Sequence, residues 1–184
     1  PKQKLEMPEI VFEKVCPLFG MSDIRNSSLF RNTSIREDLI ANLEAAQEVL
    51  STLYHHKQMY IFNELNFKVS KELDRISNGL ASGDESNILD FIRSEVNTAL
   101  NFYQNAEPEI KSIVKKYFDL LDPDLGVIYS KRQMFEESLT RINETISNYI
   151  EEAEKTAQDI YPHYFEKYKT DGVEYNMYIG ESMT

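Results

Sequence analysis

Apolar side chains recur along this chain at intervals of three and four residues, the spacing that gathers them on one face of a helix. The longest such run is Ser130 to Ile160, which no Pro or Gly interrupts. Its apolar positions are Phe135, Leu139, Ile142, Ile146, Tyr149, Ala153 and Ile160. The first six alternate steps of four and three, the heptad seam of a helix packed lengthwise on other helices. Between Gly20 and Gly79 there is again no Pro or Gly. There Ile35, Leu39, Leu43, Ala46, Leu50 and Leu53 predict a helix of about 25 residues, with Ser27, Ser28 or Thr33 as its cap. Phe62, Leu65, Val69, Leu73 and Ile76 predict a second helix. The break falls at Tyr54-His55-His56-Lys57, a continuous helix being the alternative, and Asn78-Gly79 is a C-cap signal.

A tight Gly83-Asp84 turn begins the next element. Asp84 or Ser86 caps a third helix with the stripe Ile88, Ile92, Val96, Ala99 and Tyr103. It ends by Asn105, because Pro108 biases Glu107 out of the helical region. Pro108 suits the first position of a fourth helix, with Ile110, Ile113, Tyr117 and Leu120/Leu121 as its apolar face. Asp122-Pro123-Asp124-Leu125-Gly126 is a strong turn signal. Val127-Ile128-Tyr129 is a short extended link, and Ser130 caps the long helix.

The two ends read differently. Residues 1–25 carry Pro8, Pro17 and Gly20 in a broken apolar pattern, which predicts an irregular segment. Ile10, Val11, Phe12, Val15, Leu18 and Phe19 are dense enough in it to be buried, as one short helix or strand. After Pro162, His163 to Tyr168 predicts one more helical turn, then Thr170-Asp171-Gly172 a chain reversal. Val173, Tyr175, Met177 and Ile179 alternate with polar positions, the period of a half-buried strand. No obvious partner strand follows from the pattern, so its partner is expected downstream or in Glu9–Val15. The chain opens on Pro and stops just after this run, which predicts a piece cut from a longer protein.

A helix from Ser130 to Ile160 is roughly 46 Å long, whereas a compact chain of this size has a diameter of about 40 Å. The expected fold is therefore all-α: an elongated bundle of four or five long helices over residues 26–168. An irregular segment precedes it at 1–25, and a strand-like tail follows at 169–184.

Composition narrows the partners. The net charge of −11 disfavours a nucleic-acid backbone or an anionic membrane, both of which want a basic surface. The single cysteine, Cys16, excludes an internal disulfide and a Cys-based zinc site. No 18-residue apolar run exists to span a membrane. A cytoplasmic location is the expectation.

Candidate chemistry is sparse. His55 and His56 are neighbours, so on a helix they diverge and form no chelate; a helix end suits them better. His163 and Glu166 share the spacing of a metal pair, but the inward glutamates of a helical metal site are missing. Asp122, Asp124 and Gly126 hint at a calcium loop, yet Gln133 stands where its twelfth-position Glu belongs. Ser27 and Ser28 lack a glycine elbow, and no phosphate-binding glycine loop occurs. Asp23, Arg25, Asn26, Ser27, Ser28 and Arg31 form a polar entry to the first helix. They are either a small anion site or, as the favoured reading, an Asp23–Arg25/Arg31 network that caps the helix. His163, Tyr164, Phe165, Tyr168, Asp171 and Tyr175 mark an aromatic-rich junction after the long helix. No catalytic residue, cofactor or metal is predicted.

Two stretches carry a resemblance: LFGMSDIRNSSLFRNTSIREDL from Leu18 to Leu39, and LDPDLGVIYSKRQMFEESLTRIN with YPHYFEKYKTDGVEYNMYIG between Leu121 and Gly180. Both resemble a helical region of large bacterial multidomain sensor proteins that carry a GAF domain. A GAF fold is itself a six-stranded sheet with helices, which this strand-poor chain does not match. The resemblance implies a GAF-associated, non-catalytic module that relays or scaffolds signals between flanking domains of the same polypeptide. The long heptad helix would also pair two copies. The alternative is a sensory bundle with a tyrosine-lined ligand pocket.

Overall fold

The structure, a computed structural model, describes residues 15–160, 163–169 and 172–180. It is mostly helical, with one small antiparallel sheet. Contacts divide the chain into two compact units. One is Asn26–Glu137; the other joins the N-terminal stretch to Ser138–Thr184.

The first unit is built on α1 (Ser27–Lys57) and α2 (Tyr60–Ser77). The stripe read from the sequence is the buried one: Leu39, Leu43, Ala46, Leu50 and Leu53 are essentially inaccessible, as are Phe62 and Val69 of α2. Each fully buried Leu, Val or Phe among them contributes roughly 1.5–3 kcal/mol. The break between the helices is sharp because Gln58 takes a left-handed conformation (φ 47°), its N–H bonded to the Tyr54 carbonyl. His55, His56 and Lys57 fill the last turn of α1, where positive charge suits the helix dipole. Arg36 of α1 donates to the Ile76 and Ser77 carbonyls at 3.0 and 2.8 Å and so closes the C-terminus of α2.

The third predicted helix is less regular than its stripe. It runs as α3 (Asp84–Phe91), a π-helical segment (Ile92–Asn97) and α4 (Thr98–Asn101), ending four residues before Asn105. Ile88, Ile92 and Val96 still face the core. A wider turn keeps an i, i+4 stripe aligned, so periodicity does not expose it. Next, α5 (Pro108–Phe118) starts on its proline and buries Ile110, Val114 and Tyr117.

Helix α6 spans Ser130–Ile160, the predicted limits. Its first two turns, to Glu137, belong to the first unit and the remainder to the second. Its buried positions are Asn143 and Ser147, whereas the seam positions Ile142 and Tyr149 are 44% and 73% exposed. The inaccessible face is thus displaced by one residue from the apolar seam, onto side chains that apolar periodicity ignores.

The ends of the chain correct the all-α expectation. Val15–Ser22, expected to be irregular, is strand β1; Tyr164–Lys169, expected to be a helical turn, is β2; Val173–Gly180 is β3, as the alternation indicates. The sheet order is β1-β3-β2, all antiparallel. β3 is therefore the central strand and not a lone one: Met177 pairs with Leu18 on one side and Phe165 on the other. Pro17 is tolerated because β1 is an edge strand. The calls for Ile10, Val11, Phe12, Pro162 and Asp171 fall outside the described residues.

Candidate functional site

The chain between α5 and α6 is the best-organised loop of the first unit. The Asp122 side chain accepts the N–H groups of Asp124 and Leu125 at 2.9 and 2.8 Å. The Asp122 carbonyl accepts Gly126 N–H, and Val127 returns its carbonyl to Asp122 N–H. Gly126 is left-handed (φ 67°), a conformation that side-chain-bearing residues rarely adopt. The aspartates here make a turn, with Asp122 bonded to its own backbone.

Neighbouring helices hold this loop with polar side chains, Asn97 and Asn42 buried and Arg93 exposed. Asn97, from the π-helical segment, donates to the Gly126 carbonyl at 2.9 Å and is itself fixed by Tyr117 Oη at 2.8 Å. Arg93 Nε donates to the Leu125 carbonyl at 2.9 Å. Asn42 of α1 grips Ile128 twice, donating to its carbonyl and accepting its N–H, both at 2.8 Å. One turn earlier, Asp38 accepts the N–H groups of Lys131 and Arg132 at 2.9 and 2.8 Å. A carboxylate from a different helix therefore caps α6, where Ser130 was the expected cap. Asp38 and Asn42 are 5% and 1% exposed, and a buried polar group must be bonded in this way to be tolerated.

Beneath the loop lies a half-open cavity of about 280 Å³. Its apolar walls are Ile35, Leu39, Leu89, Leu125 and Val127; its polar ones include Glu85, Arg93, Tyr129 and Arg132. Arg132 pairs with Glu85 and, at 3.0 Å, with Glu136, and stacks 5.5 Å from the Tyr129 ring centre. Burial opposes the Arg132 charge, but the Glu136 hydrogen bond and the Glu85 carboxylate outweigh it, leaving its pKa raised. Burial and the Glu136 hydrogen bond likewise push the Tyr129 hydroxyl up. Tyr117 is pushed up by burial.

In the second unit, one sheet face meets the C-terminal half of α6. Lys167 of β2 pairs with Glu151, and the hydrogen bond and charge of that lysine hold the Glu151 carboxyl below its usual range. His163 opposes Glu154 at 3.0 Å, with only 2% of its side chain exposed. Gln158 both donates to the His163 carbonyl and accepts its N–H, so the end of α6 is tied to the start of β2. On the other face Glu166 accepts the hydroxyls of Tyr164 and Tyr168 at 2.7 and 2.9 Å. Those bonds push both phenols up.

The predicted site residues fall as follows. Asp23 and Arg25 are exposed in the turn after β1. Asn26, left-handed at φ 63°, precedes α1, and no side chain caps that helix. Ser27 is half-buried, Ser28 and Arg31 are exposed, and Thr33 bonds within the helix to the Leu29 carbonyl. Of the junction residues, His163, Tyr164, Phe165, Tyr168 and Tyr175 share the sheet unit, and the Phe165 and Tyr175 ring centres are 6.1 Å apart. His163 faces Glu154, whereas Glu166 bonds the tyrosines. Among the described residues no cluster of three His, Cys, Asp or Glu side chains is placed to hold a metal ion, and no helix is long and apolar enough to cross a membrane. Sequence reasoning missed Asp38, Asn42, Arg93 and Asn97. Polar residues at spacing four inside apolar helix stripes were their only signal. Comparison with protein-family models, with curated proteins and with solved structures finds no significant match.

Proposed function

We propose that this chain is a non-catalytic helical module of a multidomain bacterial sensor protein of the GAF-associated kind. It relays or scaffolds conformational signals between flanking domains in the cytoplasm, with neither nucleic acid nor membrane as partner. The observation that carries the reading is the continuity of α6. One uninterrupted helix starts in the unit Asn26–Glu137 and continues into the unit that holds the sheet. A helix that runs on from one unit into the next is the kind of element along which a shift or rotation can be passed. Both ends of that helix are tied: Asp38 holds its first turn, and Gln158 binds the start of β2. The buried polar side chains of the first unit are committed to backbone bonds of this sort, which favours a scaffold over a catalyst.

Hydrogen exchange tests the relay. Asp38→Asn, which loosens the first turn of α6, is expected to change amide protection in Tyr164–Lys169 and Val173–Gly180. Two glycines inserted after Ser138 are expected to abolish that transfer. Unchanged protection of the sheet in Asp38→Asn rules the relay out. The exposed seam positions Ile142 and Tyr149 also suit a second copy of α6. Light scattering showing a monomer at high micromolar concentration removes the dimer.

A second reading, a sensory ligand-binding bundle, is favoured by the cavity under the Leu125–Tyr129 loop. The tyrosine-lined pocket expected for it takes a different form: Tyr129 is the tyrosine in that lining, and the remaining walls are mainly aliphatic.

A further inference from the structure

We propose that the cavity under the Leu125–Tyr129 loop binds a small monocarboxylate with an apolar body, a phenylalkanoate or short branched-chain acid in size. The proposal gives the second, sensory reading its ligand class and rests on that reading.

Size comes first. The cavity holds about 280 Å³, and a space of about 150 Å³ already admits one benzene ring. There is room for one ring or branched chain and a short polar head. The walls set the body of the ligand. Ile35, Leu39, Leu89 and Val127 present hydrocarbon, and the buried polar groups among them, Asp38 and Asn42, are already bonded to Arg132, Lys131 and Ile128. A sugar or nucleobase would find few free donors or acceptors inside.

The charge at the mouth sets the head group. Two arginines line the cavity. Arg132 is neutralised by Glu85 and Glu136. Arg93 is not: its Nε–H bonds the Leu125 carbonyl, and it pairs with no carboxylate among the described residues. Arg93 thus brings to the cavity a positive charge that no carboxylate among the described residues pairs with. Its guanidinium has further N–H groups with which to grip a carboxylate. A single negative charge is matched, whereas a dianion would meet Glu85 as well.

The occupied cavity would touch α1, α3, the loop and the first turn of α6 together. Ligand contact with Tyr129 and Arg132 bears on the turn that Asp38 caps.

Nitrogen-15 NMR titration of the whole chain with 3-phenylpropionate, and in parallel with the neutral 3-phenylpropanol, tests this. The acid is expected to shift the amides of Leu89, Arg93 and Leu125–Arg132, with an affinity at least fivefold above that of the alcohol. Arg93→Met should erase the preference for the acid while leaving alcohol binding in place, which also shows that the cavity is intact. Arg93→Lys should keep most of the preference. Equal binding of acid and alcohol by the parent chain, or a preference that survives Arg93→Met, overturns the carboxylate assignment and leaves the sensory reading standing. Absence of any shift at these amides with either compound at 10 mM overturns both.

Discussion

The Asp38 carboxylate accepts the backbone N–H of Arg132 at 2.8 Å, although 94 residues separate the two. The first turn of the longest shared helix is thus finished by a residue of α1. Asp38→Ala leaves two N–H groups without their acceptor. Loss of a cap costs about 0.5–2 kcal/mol, and burial of the orphaned donors adds about 1–3 kcal/mol. We expect Asp38→Ala to lower the unfolding free energy by about 2–4 kcal/mol in urea titration, and Asp38→Asn by about half as much. Ser130→Ala is expected to cost under about 0.5 kcal/mol, since its hydroxyl is 3.5 Å from Asp38.

Tyr117 gives the first unit an alkaline limit. Burial raises its pKa, so the folded state keeps the phenolic proton at pH values where the unfolded chain has lost it. Its contribution is complete below about pH 10 and falls as pH rises toward the folded pKa, by about 1.4 kcal/mol per pH unit for one proton. Tyr117→Phe should flatten the stability–pH curve between about pH 10 and 11.5 by that slope. At neutral pH it should cost about 1–2 kcal/mol, because Asn97 Oδ1 loses its donor. A curve parallel to that of the parent chain above pH 10 excludes this role.

Two glycines in the sheet unit are predicted to differ. A Cβ on Gly172 would stand 2.0 Å from the Ser22 carbonyl oxygen, a backbone atom that no rotamer change can move. A Cβ on Gly20 would meet the tip of the Tyr175 ring, which lies over it and can swing aside. Gly172→Ala is expected to destabilise the sheet by about 1–3 kcal/mol and Gly20→Ala by less. Hydrogen exchange of the β3 amides reads both.

Acid should loosen the contact between β2 and α6. The Glu151 carboxyl is held low by Lys167, so that contribution is present above about pH 4.5 and fades as pH falls through the depressed value. Glu151→Gln should remove the acid-dependent part, and 1 M salt should mute it. Protection in Tyr164–Lys169, taken relative to the intrinsic exchange rate at each pH, that does not change between pH 6 and 3.5 contradicts this.

The helices were legible because their cores are apolar at fixed spacing: Leu39 to Leu53, Phe62 to Ile76 and Ile88 to Val96 are both the predicted stripes and the buried ones. Asn78-Gly79 and Asp122-Gly126 were legible because turn chemistry is local. The sheet was not. Pro17 and Gly20 disguise β1, and its partner β3 lies at the other end of the chain. In β2, Glu166 and Lys167 break the apolar alternation, so Tyr164–Lys169 reads as a continuation of the helix. The loop holders Asp38, Asn42 and Asn97 were hidden for a different reason. A buried polar residue is explained only by the backbone it bonds, and those partners are remote in sequence.

The strand order β1-β3-β2 has a consequence for biosynthesis. β1 is made before the strand it pairs with, which follows roughly 150 residues later, about 8–30 s at ordinary elongation rates. During that interval a nascent strand bearing Leu18, Phe19 and Met21 waits for its partner edge on β3. β2 and β3, by contrast, are close enough to pair as soon as both emerge. The hairpin is then the template, and β1 is recruited to it last, which makes the early strand the segment most in need of protection while the chain is unfinished.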